Sequence, residues 1–417
     1  MTSEPIVAAL DIGTAYTTAL VAAVHGDVPR APRLKVLGVG HTRTMGLRRG
    51  MVSDIEEATR SIRAAVEEAT HLAGVAADGL FVGIAGEHVR AMTSSGVVAI
   101  SGHEITRPDV ERVNEVARAM AIPQDRELLH AIPQEYRVDK VDGIRDPVGM
   151  IGTRLETEMY LVTIGSSPAM NLRKAIERAG YRTRELVLEP LASALAVLTE
   201  EEKELGVVLV ELGAGTTDLA VFHEGKIRHL GTIPFGGNTV TSDLVQGLGI
   251  TQHDAEQIKD AYGCAYEPLI DPQQVIAMPA SGAHGERHIS RELMTHIIHQ
   301  RMDEIFEKAQ REVHQAGFTG RLNGGVVLTG GGASLEGIRE LAADVFGLGV
   351  RIGVPGAKLD GLVENVTQPQ FATAVGLALY GAHREALGGV VARKGGRPGA
   401  SVDKLASRVK TWLQDFF

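Results

Sequence analysis

Short apolar runs that end at glycine turns recur along the chain, a pattern typical of buried strands joined by tight connections. The central example covers residues 206–222. An apolar, mostly β-branched run, Val207–Val210, ends at Glu211; a turn of sequence Gly-Ala-Gly-Thr-Thr-Asp follows at residues 213–218, and alternation resumes up to Phe222. We predict a buried strand, a glycine turn and a returning strand.

The same pattern occurs a second time in residues 6–22, where an apolar run reaches Asp11 and a turn containing Gly13 and Thr14 leads into a returning strand. Glycines allow backbone N–H groups to close around an anion, and threonine hydroxyls are further donors. Acidic residues at the ends of such turns could hold a divalent cation through water. Two hairpins that face each other would hold the phosphates of one nucleotide from both sides.

Apolar periodicity and capping residues predict the other elements. Further strands are predicted at Leu34–Gly40, Leu80–Ala85, Gly96–Ile100, Arg137–Val141 and Met159–Ile164. Helices are predicted at Asp54–Gly74 (with Glu57 completing a capping box), Thr106–Met120, Ser167–Gly180, Glu189–Ala196, Phe235–Asp243, Asp254–Lys259, Ser290–Ala316 and Phe371–Gly381. The helices at 189–196 and 371–381 are rich in small residues, which suits close packing at a hinge.

Residues 86–158 differ in texture from their surroundings and indicate a small inserted α/β module. The module combines short amphipathic strands, a helix and the polar segment His130–Tyr136. No catalytic grouping is evident among its polar residues. We therefore expect them to lie on a solvated surface.

A third glycine turn lies in the segment Gly324–Ser334, which contains three consecutive glycines, Gly330 to Gly332. We predict a strand that leads into a helix with Ser334 as its N-cap. Such a turn lets a flat ring or a ribose approach the backbone.

Two pairs on helices have both a structural and a functional interpretation. Glu256 and Lys259 lie one turn apart, and spacing alone favours a surface ion pair worth roughly a few tenths of a kcal/mol. His296 and His299 have the spacing of metal ligands, but no third ligand is evident. This favours surface or boundary histidines.

Composition narrows the classes of function. A length of 417 residues with 44% apolar content allows two or three domains with buried cores. The net charge of −10 gives no general case for nucleic-acid binding. Cys264 is the single cysteine, which excludes an internal disulfide and favours a reducing cytosol. We expect neither a signal peptide nor a membrane-spanning helix.

The end of the chain changes character twice. Residues 388–402 are rich in glycine and basic residues without periodicity, which predicts a flexible linker. Residues 403–417 predict an amphipathic helix; it could dock on its own domain, but the linker and the flanking cations favour a membrane surface. Its apolar face comprises Leu405, Val409, Trp412, Leu413, Phe416 and Phe417.

Paired phosphate hairpins, a triple-glycine turn and two small-residue helices resemble the actin, Hsp70 and sugar-kinase superfamily. Over nearly the whole chain, the sequence is similar to the bacterial FtsA family of cell-division proteins. The resemblance is carried by Leu10–Thr14, Ile132–Tyr136, Leu198–Gly206, Asn238–Asp243, Asp254–Lys259, Val327–Gly331 and the amphipathic tail.

The resemblance implies an α/β, actin-like ATPase fold with two duplicated halves around a nucleotide cleft, an inserted α/β subdomain and a C-terminal amphipathic helix. It divides the chain into subdomain 1A (1–85, 159–204 and 365–387), subdomain 1C (86–158), subdomain 2A (205–225 and 317–364), subdomain 2B (226–316), the linker (388–402) and the membrane-targeting helix (403–417).

The ligands that the resemblance implies are ATP and Mg²⁺. Asp11 and Glu211 would face the hydrated metal, and Glu189 would orient the attacking water, so these three are the candidate catalytic residues. Glu256 and Lys259 would flank the ribose and adenine, in place of a surface ion pair. The other nucleotide contacts would come from Gly13, Thr14, Ala15, Tyr16, Gly213, Ala214, Gly215, Thr216, Thr217, Asp218, Gly237, Asn238, Gly330, Gly331, Gly332 and Ala333.

The resemblance also implies partners and a location. The chain would form actin-like filaments on the inner face of the cytoplasmic membrane at the division site, tether FtsZ there and help to recruit later division proteins. The acidic C-terminal peptide of FtsZ would bind near the start of the long helix, through Arg291, Arg301, Met302 and Ile305. The inserted module would take part in filament contacts, and no nucleic acid is expected.

One residue departs from the family pattern. FtsA-like proteins usually have Asp where this chain has Glu211, and the additional methylene moves the carboxylate by more than about 1 Å. We therefore expect tight ATP binding with slow or negligible hydrolysis. The alternatives are a small-molecule kinase, for which no separate general base is evident, and a pilus-assembly type of scaffold, against which the C-terminal helix argues.

Overall fold

Two β-sheets, with helices between and around them, form the framework that positions the candidate site. The computed structural model describes residues 4–27, 31–77, 79–102, 104–278 and 287–394. In that part of the chain the strands are β1 (Ile6–Ile12), β2 (Tyr16–Asp27), β3 (Ala31–Arg43), β4 (Leu47–Arg48), β5 (Met51–Val52), β6 (Leu80–Ile84), β7 (Val89–Ala99), β8 (Arg126–Val138), β9 (Val141–Ile144), β10 (Arg154–Gly165), β11 (Thr183–Leu188), β12 (Val207–Leu212), β13 (Thr217–His223), β14 (Lys226–Ile233), β15 (Val275–Met278), β16 (Arg287–Ser290), β17 (Gly325–Thr329), β18 (Val350–Ile352) and β19 (Leu359–Gly361).

The helices of the same residues lie between these strands in the order that apolar periodicity predicts. They are α1 (Ile55–Ala73), α2 (Arg107–Arg118), α3 (Ser166–Arg178), α4 (Glu189–Val197), α5 (Glu200–Leu205), α6 (Gly237–Leu248), α7 (Gln252–Tyr262), α8 (Arg291–Gln315), α9 (Ile338–Phe346) and α10 (Ala372–Lys394).

The first sheet has the strand order β11-β6-β1-β2-β3-β19. β1 and β2 form the predicted hairpin, with Asp11 opposite Thr18, and β1 runs parallel to β6. Helix α1 packs very closely on β3, because a Cβ atom on Gly38 or Gly40 would lie 2.1 or 1.9 Å from a backbone oxygen of the helix. Only glycine fits at these two positions, so the contact fixes the helix on the sheet.

The second sheet repeats the design of the first. Its strand order is β14-β13-β12-β17-β18. β12 and β13 form the predicted central hairpin with Glu211 opposite Asp218, and β12 runs parallel to β17. A hairpin beside a parallel strand therefore stands at the centre of both halves, as the repeated sequence pattern indicates.

The inserted module is a separate sheet of order β7-β10-β8-β9 with α2 packed on it. The segment His130–Tyr136 is part of strand β8 and is not the solvated surface that its polarity predicts: His130 and Gln134 are each 3% exposed. The prediction was wrong because both side chains point into the protein: Gln134 donates to the nearby carbonyl of Ile132 at 3.3 Å, whereas His130 has a partner in a distant segment. His130 Nε2 accepts a hydrogen bond from the backbone N–H of Leu188 at 3.0 Å, which ties the module to the residue before α4.

Helices α4 and α10 cross between the two sheets. A Cβ atom on Gly376 would lie only 1.8 Å from the backbone oxygen of Ala192, so the helices touch backbone to backbone. One continuous core joins both helices and both sheets, and it includes Val7, Leu20, Leu191, Leu195, Val207, Phe222, Val375 and Leu379. The predicted close packing of small-residue helices is confirmed.

Capping predictions succeeded at two helices and failed at two. Asp54 and Ser290 each accept a hydrogen bond from the backbone N–H three residues later, at the starts of α1 and α8. Helix α3 starts one residue before Ser167, and α9 starts four residues after Ser334, so neither serine is an N-cap.

The last described helix is longer than predicted. Helix α10 reaches Lys394, so the first part of the predicted linker from residue 388 is helical. The rest of that linker and the predicted membrane helix at 403–417 lie outside the described residues. No helix among the described residues has the length and hydropathy needed to cross a bilayer.

Candidate functional site

The turns of the two hairpins face each other and are in contact. A Cβ atom on Gly215 would lie 2.6 Å from Thr14 Oγ1 and 3.0 Å from Arg49 Cα. Both turns also have the same tight shape, because a Cβ on Gly13 or on Gly213 would lie 2.9 or 2.8 Å from the backbone oxygen three residues later. Two glycine turns of one shape thus lie directly against each other.

The first turn is held from outside by neighbouring segments. The Thr14 hydroxyl accepts a hydrogen bond from the N–H of Gly50 at 3.2 Å, and the carbonyl of Ala15 accepts one from the loop after β3 at 2.8 Å. The ring of Tyr16, which is 44% exposed, stacks on His41 with the ring centroids 4.5 Å apart. The turn is therefore rigid before any ligand binds.

Four carboxyl groups converge behind the turns: Asp11 on β1, Glu189 at the start of α4, Glu211 on β12 and Asp218 on β13. Burial and the nearby Glu211 raise the pKa of Asp11 to about 8. Burial also raises the pKa of Glu211 to about 7. The pKa of Glu189 lies well above its usual range because the group is buried and the other three carboxyls surround it. Without a cation, these carboxyls therefore hold protons more tightly than free carboxyls do.

This cluster of carboxyls fits a hydrated divalent cation. Within the described ranges, no three acidic, histidine or cysteine side chains come close enough to ligate one ion directly. A cation at this place would keep water between itself and the carboxylates, as Mg²⁺ usually does. It would also favour the ionised form of carboxyls whose pKa values are raised by burial first and by one another's charge second.

Asp218 is bonded to both halves of the molecule. It accepts hydrogen bonds from the hydroxyls of Thr216 at 2.8 Å and Thr232 at 2.6 Å, and from the backbone N–H of Gly86 in the first half. The Thr217 hydroxyl donates to a backbone carbonyl at 3.0 Å. The two turn threonines therefore stabilise the turn itself.

Glu211 contacts the two crossing helices. Its carboxylate accepts hydrogen bonds from the hydroxyls of Ser193 on α4, at 2.9 Å, and of Thr373 on α10. These bonds oppose the rise in its pKa that burial causes. The Glu211 carboxylate, to which the family resemblance assigns a metal role, therefore points to the two crossing helices.

The start of α6 closes the second turn. The backbone N–H groups of Gly237 and Asn238 donate to the carbonyls of Gly213 at 3.0 Å and Ala214 at 2.8 Å. Both N–H groups are already engaged, so these two residues support the turn and are not free donors.

Glu256 and Lys259 form an ion pair that is more buried than a surface pair. Their side chains are 25% and 13% exposed and approach to 3.0 Å. The Thr241 hydroxyl lies 2.5 Å from Glu256 and 2.9 Å from Lys259 Nζ. Burial opposes ionisation of Glu256, but the hydrogen bond from Thr241 and the charge of Lys259 hold its pKa below the usual range. A Cβ on Gly237 would lie 3.8 Å from Lys259 Nζ, which places the pair beside the second turn.

The third glycine turn joins the second sheet to the start of α10. Gly330 has a φ of 80°, and its N–H donates to the carbonyl of Pro369 at 3.2 Å. The turn continues through Gly332 into Ala333, which is 4% exposed. A Cβ on Gly331 would meet nothing within 4 Å, so Gly331 is the part of this turn that a flat ring could approach.

The four residues predicted for partner binding do not share an exposed surface. Met302 and Ile305 are 5% and 0% exposed and belong to the core of the second half, so neither offers much side-chain surface to a partner. Arg301 forms a two-pronged pair with Asp243, at 2.6 and 3.2 Å. Arg291 pairs with an acidic side chain of the loop before α9 at 2.8 Å.

A groove of about 550 Å³ lies at the start of α8 instead. Leu293 is 47% exposed there. His296 bonds to Glu267 at 2.8 Å, whereas His299 bonds to a backbone carbonyl at 2.9 Å, which supports the structural interpretation of both histidines. The groove is lined by Glu267, Pro268, Ile270, Pro272, Ser290, Glu292, Leu293 and His296.

Several residues that build the site are not evident from the sequence: Gly86, Ser193, Thr232, Thr241 and Thr373. A hydroxyl in a helix of small apolar residues is a usable signal for Ser193 and Thr373, because a buried hydroxyl requires a partner. No comparable signal marks the other three.

Comparison with known proteins decides the family. The family model described as "Cell division protein FtsA" matches residues 208–376. The cell division protein FtsA of Pseudomonas aeruginosa is 40% identical over 417 residues, with 100% of this chain and 99% of the relative covered. The chain belongs to the FtsA family. It is thus a member of a family of cell-division proteins, which removes the kinase and pilus-scaffold alternatives.

The inserted module and the fold agree with this family. The model described as "SHS2 domain inserted in FTSA" matches residues 86–163. The PilM–PilN type IV pilus biogenesis complex gives a TM-score of 0.64 at 18% identity, covering 90% of this chain and 98% of that one. MreB5 of Spiroplasma citri bound to ADP gives 0.51 at 15% identity, covering 93% and 98%. At these identities the likeness concerns the fold, and the predicted actin-like ATPase fold is confirmed.

Proposed function

We propose that this FtsA-family member binds ATP with Mg²⁺ in the cleft between its two glycine hairpins. The observation that carries the proposal is the contact between the turns at Gly13 and Gly213 in front of four carboxyls, of which Asp218 is buried and the other three are half-buried. Backbone N–H groups on both sides suit a polyanion. The carboxyl cluster behind them suits the accompanying hydrated cation.

Each part of the nucleotide has a place in this proposal. The phosphates lie between the two turns, and the hydrated Mg²⁺ faces Asp11. The ribose and adenine lie beside the Glu256–Lys259 pair, with Gly331 on the open side of the third turn. Asp218 keeps the second turn closed.

Slow hydrolysis fits the direction of the Glu211 side chain. Its carboxylate accepts hydrogen bonds from Ser193 and Thr373 on the crossing helices. A carboxylate that is held by the helices is not placed to face a hydrated metal at the turn. We expect little phosphate release from Mg-ATP, and turnover like that of actively cycling Hsp70-type enzymes would contradict this part.

Calorimetry with Gly215→Val tests the nucleotide proposal. The added side chain would occupy space 2.6 Å from Thr14 Oγ1. We expect wild-type protein to bind Mg-ATP and Mg-ADP and the variant to lose binding. Gly356→Val is the matched control, because a Cβ there meets nothing within 4 Å. Equal affinities of both variants would place the nucleotide elsewhere.

We further propose that the chain forms actin-like filaments on the cytoplasmic face of the membrane at the division site, tethers FtsZ there and helps to recruit later division proteins. Family membership over the full length supports this role. The amphipathic sequence at 403–417 supports the membrane contact. Several linked copies would bind a membrane more tightly than one, so assembly would control residence.

Liposome co-sedimentation tests the membrane contact. Full-length protein and a 1–402 truncation are compared with and without Mg-ATP. We expect pelleting that increases with ATP and requires residues 403–417. If both forms stay in the supernatant in every condition, the terminal helix docks on its own domain.

The proposed place for the FtsZ C-terminal peptide is the exposed groove at the start of α8. Leu293 replaces the buried Met302 and Ile305 as the apolar contact. We expect Leu293→Asp to weaken binding of a labelled peptide in fluorescence anisotropy. Leu362→Asp is the matched control, since Leu362 is similarly exposed, at 43% against 47%. Unchanged affinity of Leu293→Asp would exclude this groove.

A further inference from the structure

The carboxylate of Glu211 joins the second phosphate hairpin to both crossing helices. One oxygen accepts the hydroxyl of Ser193 at 2.9 Å, and the other accepts the hydroxyl of Thr373. The Ser193 hydroxyl also lies 3.0 Å from the backbone carbonyl oxygen of Glu189, so its one proton is shared between two acceptors. The hydroxyls of Ser193 and Thr373 are 3.0 Å apart, and the two residues are 0% and 3% exposed. Hydrogen bonds to an ionised carboxylate are among the stronger ones in proteins.

A second link lies directly beside the first. Thr329 on β17 is the register partner of Glu211 on β12. Its hydroxyl lies 3.0 Å from the carbonyl oxygen of Gly353 and 3.1 Å from that of Pro369, and the N–H of Gly330 donates to the Pro369 oxygen at 3.2 Å. Pro369 lies in the turn that leads into α10. The ends of two adjacent strands of the second sheet therefore hold the start of this helix.

The length of the Glu211 side chain is required for this arrangement. An aspartate on the same backbone would end about 1.5 Å earlier. Contacts of 2.9 Å would then exceed hydrogen-bonding distance for at least one of the two hydroxyls. The longer residue reaches the helices, and the shorter one would leave its carboxylate nearer to the turn.

We propose that Glu211 is a positioning residue that couples nucleotide at the second hairpin to the crossing of α4 and α10. The inference rests on the proposed nucleotide binding. Glu211 lies two residues before Gly213, so phosphates or a hydrated cation at the turn act on the same strand end. Helix α10 belongs to the core of the first sheet, so a changed contact at Glu211 alters the placement of the two halves.

Hydrogen exchange measured by mass spectrometry tests the coupling in the full-length chain. In wild-type protein, Mg-ADP should slow amide exchange at the starts of α4 and α10. In the double variant Ser193→Ala, Thr373→Val, nucleotide-free exchange there should be about three- to tenfold faster, and the response to Mg-ADP should be lost. The dissociation constant from calorimetry should change by less than about threefold, because neither hydroxyl touches the ligand.

Variants of Glu211 separate this role from a metal role. Glu211→Gln keeps the length and an acceptor, and should keep the response. Glu211→Asp should behave like the double variant. Adding Glu211→Asp to the double variant should give no faster exchange than either change gives alone. Thr295→Val controls for loss of a buried hydroxyl, since its Oγ1 has no partner among the described atoms, and it should respond like wild type.

Two results would overturn the proposal. The first is a double variant whose amide exchange and response to Mg-ADP equal those of wild type, while Glu211→Asp alone changes the dependence of nucleotide binding on Mg²⁺. The Glu211 carboxylate would then serve the metal. The second is faster exchange in the double variant with an unchanged response to Mg-ADP. If wild-type protein shows no nucleotide binding by calorimetry, the proposed function fails. The hydrogen bonds between Glu211 and the two helices are then tested separately, by comparing amide exchange in the nucleotide-free double variant with that in wild type.

Discussion

Gly376 is the point at which a single methyl group should separate the crossing helices α4 and α10 most directly. In Gly376→Ala the new Cβ would lie 1.8 Å from the backbone oxygen and 2.3 Å from the carbonyl carbon of Ala192, where contacts below 3.0 Å essentially do not occur. The helices must therefore move apart by more than about 1 Å locally. Overpacking of this kind costs up to about 3 kcal/mol, and alanine returns about 1 kcal/mol as the better helix former. We expect a net loss of about 2 kcal/mol.

Urea unfolding followed by circular dichroism measures this loss. The midpoint should fall for Gly376→Ala with little change in slope. Gly356→Ala is the matched control, because its Cβ would meet no atom within 4 Å, and we expect a change of less than about 0.5 kcal/mol. If Gly376→Ala unfolds at the wild-type midpoint, the backbone contact between α4 and α10 does not limit stability and the reasoning fails.

Three further predictions concern charged groups. In the folded protein, burial raises the pKa of Asp11 to about 8, so Asp11 keeps a proton that the unfolded chain loses near pH 4. The free energy of unfolding should therefore fall as the pH rises from about 4 to about 8. The slope is about 1.4 kcal/mol per pH unit for each retained proton. The increase in melting temperature caused by Mg-ADP should accordingly be larger at pH 8 than at pH 6, and an equal increase would contradict a cation at the carboxyls. Lys259→Met should weaken Mg-ATP binding by about tenfold in calorimetry, whereas the exposed Lys174→Met should not; equal effects would remove the pair from the ribose site. Arg301→Ala and Asp243→Ala should each destabilise by about 1 kcal/mol, with no further loss in the double variant; additive losses in thermal unfolding would show that the pair does not act as a unit.

The repeated hairpins and the helices between them are predictable because each depends on neighbours in the sequence. Alternating apolar residues, the turn at Gly213 and the caps at Asp54 and Ser290 are local signals, and the structure confirms each of them. The family resemblance then gives the arrangement of the two halves, which local patterns do not contain.

The errors share one physical cause, since burial of a polar or charged group depends on partners that are distant in the sequence. His130 is polar but only 3% exposed. Its ring accepts a hydrogen bond from the backbone N–H of Leu188, which is 58 positions later in the chain. Arg301 looks available on a long helix, yet Asp243 holds it. The direction of Glu211 is likewise set by Thr373, which follows 162 positions later.

The first sheet is completed by the end of the chain. Strand β19 pairs with β3, and the core of the first sheet includes residues of α10. The second sheet, by contrast, is built from one continuous stretch between β12 and β18. During synthesis, the first half leaves the ribosome before β19 and α10 have been made. It therefore cannot complete its sheet and core until the second half has emerged. A chain released before residue 372 would display the unburied side of β1, so we expect such fragments to be recognised as misfolded and degraded before they can join an assembly.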